Sequence, residues 1–401
     1  MKVVWLSECP TVPSGFGKAT KYMVYNLKQL GFDVTSLCYS IIGKADLADG
    51  TTVVSAPNTP TEVIQKFKPD VVVMFGAPWI VPLVNFLPLI PSALSIDRHV
   101  RFVGYFIHEF LDAPENIKKV FRLVHFMAVT NAREAKYVGI DRYHVVPHGV
   151  NTDIWNPDVK PMNDFKRIAN IDYVIGMVAK NHPRKRFDIF LESVAIAAKK
   201  LQKKIGILPY TSQNGFWNLS AIYESVSKYY SVMLPIFRLT EYEAIFGLPE
   251  QQQAEFLAGI DIHMLPTLGE AWSLPIDETL ALGKPNITTD TPVLHDIYGD
   301  YVQYVKPVGH SIANFEGTIH YQIDAKKYAD KIVDVVEHYD EYKEKALKAF
   351  DYVKKLHTWE RAAKEMATAI DKSMKYDYLI SSDISQIQQP VIPYMPPKLI
   401  S

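Results

Sequence analysis

The chain has 401 residues, enough for two or three domains with complete hydrophobic cores. Its 43 lysine and arginine residues almost balance its 44 aspartate and glutamate residues, so the formal net charge at pH 7 is -1. This balance excludes the broad positive charge on which non-specific nucleic-acid binding and polybasic membrane docking depend, and we expect no nucleic-acid partner. With 48% hydrophobic and 12% aromatic residues, the composition is that of an ordinary globular protein.

The start of the chain and its two thiols favour a cytoplasmic protein. Residues 1–6 are apolar, but a polar turn follows at once, so the run suits a first buried strand better than the core of an export signal. Cys9 and Cys38 are too few for a metal cluster of their own and are typical of a reducing compartment.

Residues 71–96 contain no charged side chain and are long enough for a membrane helix. Four prolines interrupt the stretch, at Pro78, Pro82, Pro88 and Pro91. Because unpaired backbone groups are costly in lipid, we predict a buried strand at 71–75, then a loop and a short apolar helix, and no transmembrane span. A peripheral contact with a membrane surface or an apolar acceptor is kept as an alternative.

The first 155 residues alternate between short β-branched runs, turns and helical periods. We predict strands at 2–6, 33–38, 71–75, 102–106, 126–129 and 144–146, and helices at 17–30, 61–67 and 131–138. Alternation of this kind predicts a parallel, doubly wound sheet. The polar stretch 156–172 that follows is typical of a linker between domains.

The same alternation starts again after the linker. We predict strands at 173–179, 204–208, 231–234 and 261–265, and helices at 187–200, 217–229, 325–338 and 341–374. The fold class is therefore α/β, with two Rossmann-like sheets facing each other across a cleft. We expect a first domain over 1–160, a second over 161–357, and a last segment, 358–401, whose helix returns toward the first domain ahead of a proline-containing tail at 376–401.

The most informative segment is 261–285, where a strand runs into a loop with Glu270 and then into a short helix with Glu278, ended by Gly283 and Pro285. Both carboxylates then lie at the carboxyl end of the strand. A carboxylate accepts two O–H donors, which suits the vicinal hydroxyls of a ribose or a sugar ring. The alternative is a pair of solvated acidic residues, since first turns of helices favour them.

A second segment, 180–186, places four cations between a strand and a helix: Lys180, Arg184, Lys185 and Arg186. Cations ahead of a helix N-terminus are suited to hold phosphate. A solvated basic loop is the alternative.

A glycine loop lies between the first strand and the first helix and contains Gly15 and Gly17. It lets backbone amides approach an anion or a sugar, but it matches neither a Walker loop nor a dinucleotide fingerprint. An ordinary turn that opens a helix is the alternative.

Taken together, these segments resemble those of the retaining family-4 glycosyltransferases of the GT-B fold. Glu270, Glu278, Gly283 and Pro285 match the family signature of two spaced glutamates followed by Gly-x-Pro. Other segments that agree in order and spacing are 14–19, 105–109, 128–133, 145–151 and 180–186. The resemblance covers about residues 1–370.

The resemblance implies the GT-B fold and the transfer of a sugar, with retention, from a nucleotide-diphosphate sugar to an acceptor hydroxyl. It implies that the second domain holds the donor, with Glu278 on the ribose and Glu270 on the transferred sugar. Lys180 and Lys185 would hold the diphosphate, with Arg184 as a substitute. The acceptor is unassigned and is a glycan, a lipid-linked molecule or a protein.

The resemblance further implies that His108 stands near the reacting carbon and that Gly15 and Gly17 line the phosphate side. The predicted catalytic residues are His108, Glu270 and Lys185. The predicted donor-binding residues are Gly15, Gly17, Lys180, Arg184, Lys185, Glu270, Trp272, Ser273, Leu274 and Glu278. A hydrogen-bonded core histidine is the alternative for His108.

The chain departs from the family pattern at Lys180, Arg186, Ser273 and His148, where the family usually has Arg, Gly, Gly and Asn. Residues 210–248 fit the family poorly, so the base and the sugar of the donor are unassigned. No Asp-x-Asp pair is placed to chelate a metal, so we expect a metal-independent enzyme without a cofactor.

Two other readings of the same scaffold stay open. One is a catalytically inactive nucleotide-sugar-binding or scaffold protein. The other is a phosphorylase or a sugar-nucleotide epimerase, because fold alone does not decide function.

Overall fold

The computed structural model describes residues 1–39, 41–77, 81–112, 115–312 and 318–377. These residues form two parallel β-sheets flanked by helices, which confirms the predicted α/β class with two doubly wound sheets. We call the first sheet, its flanking helices and the last helix of the chain the first lobe. The second sheet and its flanking helices are the second lobe.

The strands of the first lobe are β1 (Lys2–Ser7), β2 (Asp33–Cys38), β3 (Lys44–Asp46), β4 (Thr52–Ser55), β5 (Val71–Gly76), β6 (Arg101–Phe106), β7 (Phe126–Val129) and β8 (Tyr143–Val145). Its helices up to β8 are α1 (Gly15–Gln29), α2 (Pro60–Phe67), α3 (Val81–Phe86), α4 (Ile90–Leu94), α5 (Glu115–Phe121) and α6 (Ala132–Val138). The strand order is β3-β4-β2-β1-β5-β6-β7-β8, parallel except for the antiparallel pair of β3 and β4.

The second lobe contains the five parallel strands β9 (Tyr173–Val178), β10 (Ile205–Tyr210), β11 (Ile262–Leu265), β12 (Asn286–Thr289) and β13 (Gln303–Val305), in the order β10-β9-β11-β12-β13, and the antiparallel hairpin of β14 (Gly309–Ser311) and β15 (His320–Gln322). Its helices are α7 (Phe165–Ala169), α8 (Phe187–Leu201), α9 (Leu219–Tyr230), α10 (Glu241–Phe246), α11 (Glu250–Leu257), α12 (Leu274–Ala281), α13 (Pro292–Tyr298), α14 (Ala325–Glu337) and α15 (Tyr339–Leu356). Short 3-10 turns lie at Leu87–Leu89, Pro183–Lys185 and Gly299–Tyr301. The last helix, α16 (Trp359–Ser373), belongs to the first lobe.

The turn between β1 and α1 is fixed by its own residues. The side chain of Ser14 caps α1 by accepting a hydrogen bond from the Gly17 amide at 2.9 Å. Position 17 requires glycine, because a Cβ there would collide with the carbonyl oxygens of Val12 and Cys9. The turn therefore holds the glycine loop and the first turn of α1 at the carboxyl end of β1.

The last helix completes the core of the first lobe. Trp359, Met366 and Ile370 of α16 are buried in one hydrophobic cluster with Trp5 of β1 and Phe126 of β7. The chain thus leaves the first lobe after β8, builds the second lobe, and returns at residue 358.

Two predictions of secondary structure are wrong. The fully described segment 231–234 is not a strand: Ser231 has a left-handed φ of 52° and caps α9, and the next part of the chain makes an isolated bridge from Ile236 to Ile207. The single helix predicted at 341–374 is two helices, α15 and α16. It is interrupted because Thr358 is extended and caps a new helix, with its side chain accepting from the Arg361 amide at 3.2 Å.

The other predicted strands and helices agree with the structure to within two residues at each end. The charge-free stretch 71–96 forms β5, α3 and α4, and residues 78–80 lie outside the described residues. Within the part of the chain that the structure describes, no helix has the length and hydropathy to cross a membrane.

The predicted linker at 156–172 contains α7, and Phe165 of this helix is buried in the core of the second lobe. The predicted tail at 376–401 lies outside the described residues from 378 onward. The domain limits at 160 and 357 stay predictions.

Candidate functional site

The two lobes meet at loops that follow the carboxyl ends of their strands. The loop after β6 touches the loop after β11, where a Cβ on Gly269 would collide with the carbonyl oxygen of Glu109. Asn131, at the start of α6, donates to the carbonyl oxygen of Ala271 in the same loop at 3.0 Å. Ligands of open parallel sheets bind at this edge, so the crevice between these loops is the candidate site.

Glu270 lies in the loop between β11 and α12 and is 4% exposed. Its Oε1 atom is 2.9 Å from Nη1 of Arg184 and also contacts Nζ of Lys185. Burial by itself would raise the pKa of Glu270, but the two cations outweigh burial, and the pKa is lowered from its ordinary value. Glu270 is therefore a buried, ionised hydrogen-bond acceptor.

Arg184 connects the two lobes. Its Nη2 atom is 2.5 Å from Oε1 of Glu109 in the first lobe. Its Nη1 atom contacts the Thr267 hydroxyl at 3.4 Å and the carbonyl oxygen of Gly269. The terminal nitrogens of this predicted donor-binding residue are thus directed at protein acceptors around the loop that carries Glu270.

The other cations of segment 180–186 have different surroundings. Burial lowers the pKa of Lys185, and Arg184 adds to this effect, while the neighbouring carboxylates partly offset it. Lys180 is exposed and forms no ion pair with any described residue. Arg186 forms an ion pair with Asp188 of α8 at 2.7 Å. One buried and one exposed lysine are therefore present where a diphosphate was predicted.

Glu278 of α12 is 3% exposed and lies against the first lobe. Its Oε1 atom is 2.5 Å from Nζ of Lys18 in α1, and Glu250 is 3.7 Å from the same nitrogen. Burial outweighs Lys18 and raises the pKa of Glu278 to about 7, and the carboxylates of Glu250 and Asp277 add to the rise. Glu278 therefore exchanges its proton near neutral pH.

The glycine loop faces the start of α12. A Cβ on Gly15 would lie 3.9 Å from Cδ1 of Leu274. Next to it, the Trp272 indole donates to Oδ2 of Asp277 at 2.6 Å. Ser273 is buried, and its hydroxyl has no hydrogen-bond partner among the residues that the structure describes. The predicted donor-binding residues of both lobes are thus adjacent here.

His108 follows β6 and is 2% exposed. Neither ring nitrogen has a hydrogen-bond partner in the described ranges, and the ring meets Phe110 and Phe121 edge-on at 5.4 and 6.0 Å between centroids. Burial lowers the pKa of His108 to about 3, so the imidazole is neutral near pH 7. The ring of His108 is buried, but with the residues that the structure describes it does not form the hydrogen bonds that the alternative of a hydrogen-bonded core histidine requires.

The structure brings the predicted residues together in two groups. Arg184, Lys185 and Glu270 form one buried cluster, which Glu109 joins to the chain segment of His108. The second group contains Gly15, Gly17, Leu274 and Glu278, and Lys180 lies outside both groups on the surface.

Four acidic or basic residues of the crevice were not predicted: Lys18, Glu109, Glu134 and Glu250. Two of them carried a weak local signal, because Glu109 directly follows His108 and Glu134 completes an Asn-x-x-Glu capping box.

Among the described residues, no group of three His, Cys, Asp or Glu side chains is placed to hold a metal ion.

Comparison with known proteins identifies the fold. No family model matches the chain, and no curated protein matches it in sequence. Among solved structures, a glycosyltransferase from Rickettsia africae is 15% identical with a TM-score of 0.69, covering 93% of this chain and 98% of that one. Sucrose-phosphate synthase from Thermosynechococcus elongatus is 13% identical with a TM-score of 0.69, covering 92% and 98%.

Anabaena HepE, in its complex with UDP-glucose, is 12% identical with a TM-score of 0.68, covering 92% of this chain and 99% of that one. These three proteins share the GT-B architecture over almost their whole length, so this chain has the GT-B fold. Identities of 12 to 15% establish the fold and not the activity.

Proposed function

We propose that this protein is a retaining glycosyltransferase that moves a sugar from a nucleotide-diphosphate sugar to an acceptor hydroxyl. The observation that carries the proposal is the buried, ionised Glu270, which two cations fix at the meeting point of the two lobes. A charged acceptor held in this way suits the hydroxyls of a bound sugar. Support comes from HepE, which has the same fold and was solved with UDP-glucose.

In this proposal the second lobe binds the donor. Glu278 accepts hydroxyls of the ribose, and Lys185 and the exposed Lys180 neutralise the diphosphate. Helix α12 begins at Leu274, directly after Trp272 and Ser273, and its positive N-terminal end would face the same anion. Gly15 and Gly17 line the opposite side of the crevice.

In this proposal Arg184 contacts Glu270 and not the diphosphate. Its terminal nitrogens contact acceptors on Glu109, Thr267, Gly269 and Glu270, which orient the loop of Glu270. It is a donor-side residue that acts by positioning.

The transfer step needs no side-chain nucleophile. The bond between the anomeric carbon and the diphosphate oxygen breaks, and the acceptor oxygen bonds to the same face of that carbon. The proton of the acceptor hydroxyl passes to the departing diphosphate, whose developing charge Lys180 and Lys185 meet. Neutral His108 lies on the first-lobe side of the reacting carbon, where its ring forms a hydrogen bond with the sugar.

Because two lysines and a helix N-terminus supply positive charge to the leaving group, we propose that the enzyme works without a metal. We expect turnover to be unchanged when EDTA is added in excess. A rate that falls with EDTA and returns with Mg²⁺ or Mn²⁺ would contradict this part of the proposal.

The first experiment is a thermal-shift screen across common nucleotide sugars, followed by chromatography of the nucleoside diphosphate released. A donor raises the melting temperature because it binds the folded state. Glu278→Ala should lower donor turnover about a hundredfold or more. Glu344→Ala, which removes an exposed glutamate from α15, is the control and should leave turnover unchanged. The proposal fails if no nucleotide sugar shifts the melting temperature.

One observation favours a second candidate, an inactive nucleotide-sugar-binding protein. Two predicted donor-side residues are already engaged by the first lobe, Glu278 by Lys18 and Arg184 by Glu109. Titration calorimetry that detects donor binding, combined with no released nucleoside diphosphate over hours, would favour this candidate.

A further inference from the structure

A buried carboxylate on the first lobe bonds both to the segment of His108 and to the residues that contact the loop of Glu270. Glu134, the third residue of α6, is 1% exposed. Its Oε1 atom accepts from the His108 amide at 2.9 Å, and its Oε2 atom accepts from the Thr130 amide and hydroxyl, both at 2.6 Å, and from the Asn131 amide at 3.3 Å. One side chain thus bonds to the segments that follow β6 and β7.

This carboxylate fixes the backbone of His108. The ring nitrogens of His108 have no hydrogen-bond partner in the described ranges, and its ring packs in T-shaped geometry with Phe110 and Phe121. The 2.9 Å bond from its amide to Glu134 is therefore the polar contact that sets where this histidine lies.

The same carboxylate also accepts hydrogen bonds from Thr130 and Asn131, the two residues that contact the second lobe. The Thr130 hydroxyl is 2.9 Å from the carbonyl oxygen of Ala271, and Nδ2 of Asn131 is 3.0 Å from it. Ala271 directly follows Glu270. The single hydroxyl hydrogen of Thr130 is shared between Glu134 and Ala271, so Asn131 supplies the independent bond across the crevice.

We propose that Glu134 is a positioning residue for sugar transfer: it sets the separation between His108 of the first lobe and Glu270 of the second. The proposal rests on the function proposed above. Its physical basis is that a buried carboxylate with four donors holds its neighbours in one geometry, and that misplacing reacting groups by about 1 Å costs about a hundredfold in rate.

The test uses Glu134→Gln in the full chain, with UDP-glucose as the donor probe and water as the acceptor. The amide has nearly the same shape, but its NH₂ group must face either the His108 amide or the amides of Thr130 and Asn131, so donors oppose donors. Asn131→Ser is a second variant, because serine still caps α6 but cannot reach Ala271. It keeps the test valid if Glu134→Gln folds poorly.

The matched control is Glu243→Gln. Glu243 is the third residue of α10 and completes the same kind of capping box with Thr240, but it is only partly buried. The same Glu-to-Gln change in another capping box should leave both the rate and the donor affinity unchanged.

We expect Glu134→Gln to lower kcat at least tenfold and Asn131→Ser at least threefold, with the Kd for UDP-glucose within twofold of the parent value. Wild-type kcat in both variants, or an effect confined to KM, would overturn the proposal. Amide hydrogen exchange gives a readout that does not need turnover: segments 107–112 and 267–273 should exchange faster in Glu134→Gln and not in Glu243→Gln.

The two proposals fail in different ways. If the parent protein neither binds nor turns over any nucleotide sugar, the proposed function is wrong. Unchanged exchange at 107–112 and 267–273 in Glu134→Gln overturns the positioning role whether or not the protein is active.

Discussion

Glu270 and Glu278 are eight residues apart and equally buried, yet they differ in ionisation. Glu270 touches two cations of its own lobe, and its pKa is lowered. Glu278 touches one lysine of the other lobe and has two carboxylates nearby, and its pKa is raised to about 7. Because burial is the same at both positions, their different neighbours, two cations at Glu270 and one lysine with two carboxylates at Glu278, account for the opposite pKa shifts.

The two carboxyl groups therefore offer different hydrogen bonds. Ionised Glu270 only accepts, whereas Glu278 also donates when it is protonated. Each of the four variants below changes one of the two glutamates or a cation beside it, and they run from the largest expected effect to the smallest.

Arg184→Ala should destabilise the protein most. It leaves the partly buried Glu109 without its arginine and the buried Glu270 with one lysine, and breaking a buried ion pair typically costs about 3 to 5 kcal/mol. Urea unfolding measures the loss. Lys200→Ala, which removes a half-exposed pair with Asp330, is the control and should cost less than about 1 kcal/mol. Equal losses in both variants would mean that the cluster adds nothing to stability.

Lys185→Ala should lower donor turnover by about a hundredfold or more, because in the proposed reaction the departing diphosphate would lose a buried cation that offsets its charge. Arg184 remains 2.9 Å from Glu270, so this carboxyl group keeps one of its two ion pairs. Initial rates at saturating donor measure the effect. A rate within threefold of the parent would remove Lys185 from the proposed chemistry.

Glu278→Gln should change how stability depends on pH. A carboxyl group whose pKa is raised in the folded state stabilises the fold below its unfolded pKa and loses this contribution as pH rises through about 7. The variant should therefore gain on the parent by on the order of 2 kcal/mol between pH 5 and pH 8 in urea unfolding. Glu270→Gln should show no such trend, because the pKa of Glu270 lies below this range. A parallel trend in both variants would erase the contrast between the two glutamates.

Lys18→Ala should have the smallest effect. Glu278 takes up a proton near pH 7, so loss of its lysine does not leave a fixed buried charge. We expect a loss of stability below about 1 kcal/mol at pH 6, measured by urea unfolding as for Arg184→Ala. A loss as large as that of Arg184→Ala would show that the Lys18 pair is as important as the buried cluster.

The fold was predictable where composition and periodicity agree. The apolar runs of β1 and β5 and the segment from β11 to α12 carry strong local patterns. Strand β12 carries none, because it is Asn-Ile-Thr-Thr: Asn286 bonds His263 at 2.6 Å, and Thr288 bonds the carbonyl oxygen of Leu265 at 2.9 Å. Polar side chains that find partners only after folding give no strand signal in the sequence.

The site was predictable only within each lobe. The spacing of Glu270 and Glu278 and the run of cations at 180–186 are local patterns. The Lys18 contact with Glu278 joins residues 260 positions apart, and the Arg184 contact with Glu109 joins residues 75 apart. Such contacts depend on how the lobes meet, and no periodicity along the chain records that.

The return of α16 to the first lobe has a consequence for dissecting the protein. A gene fragment that ends before residue 358 would remove Trp359, Met366 and Ile370 from beside Trp5 and Phe126 and leave an uncovered apolar strip on the sheet. Producing the amino-terminal half on its own therefore requires supplying residues 358–377 as a separate peptide or by fusion.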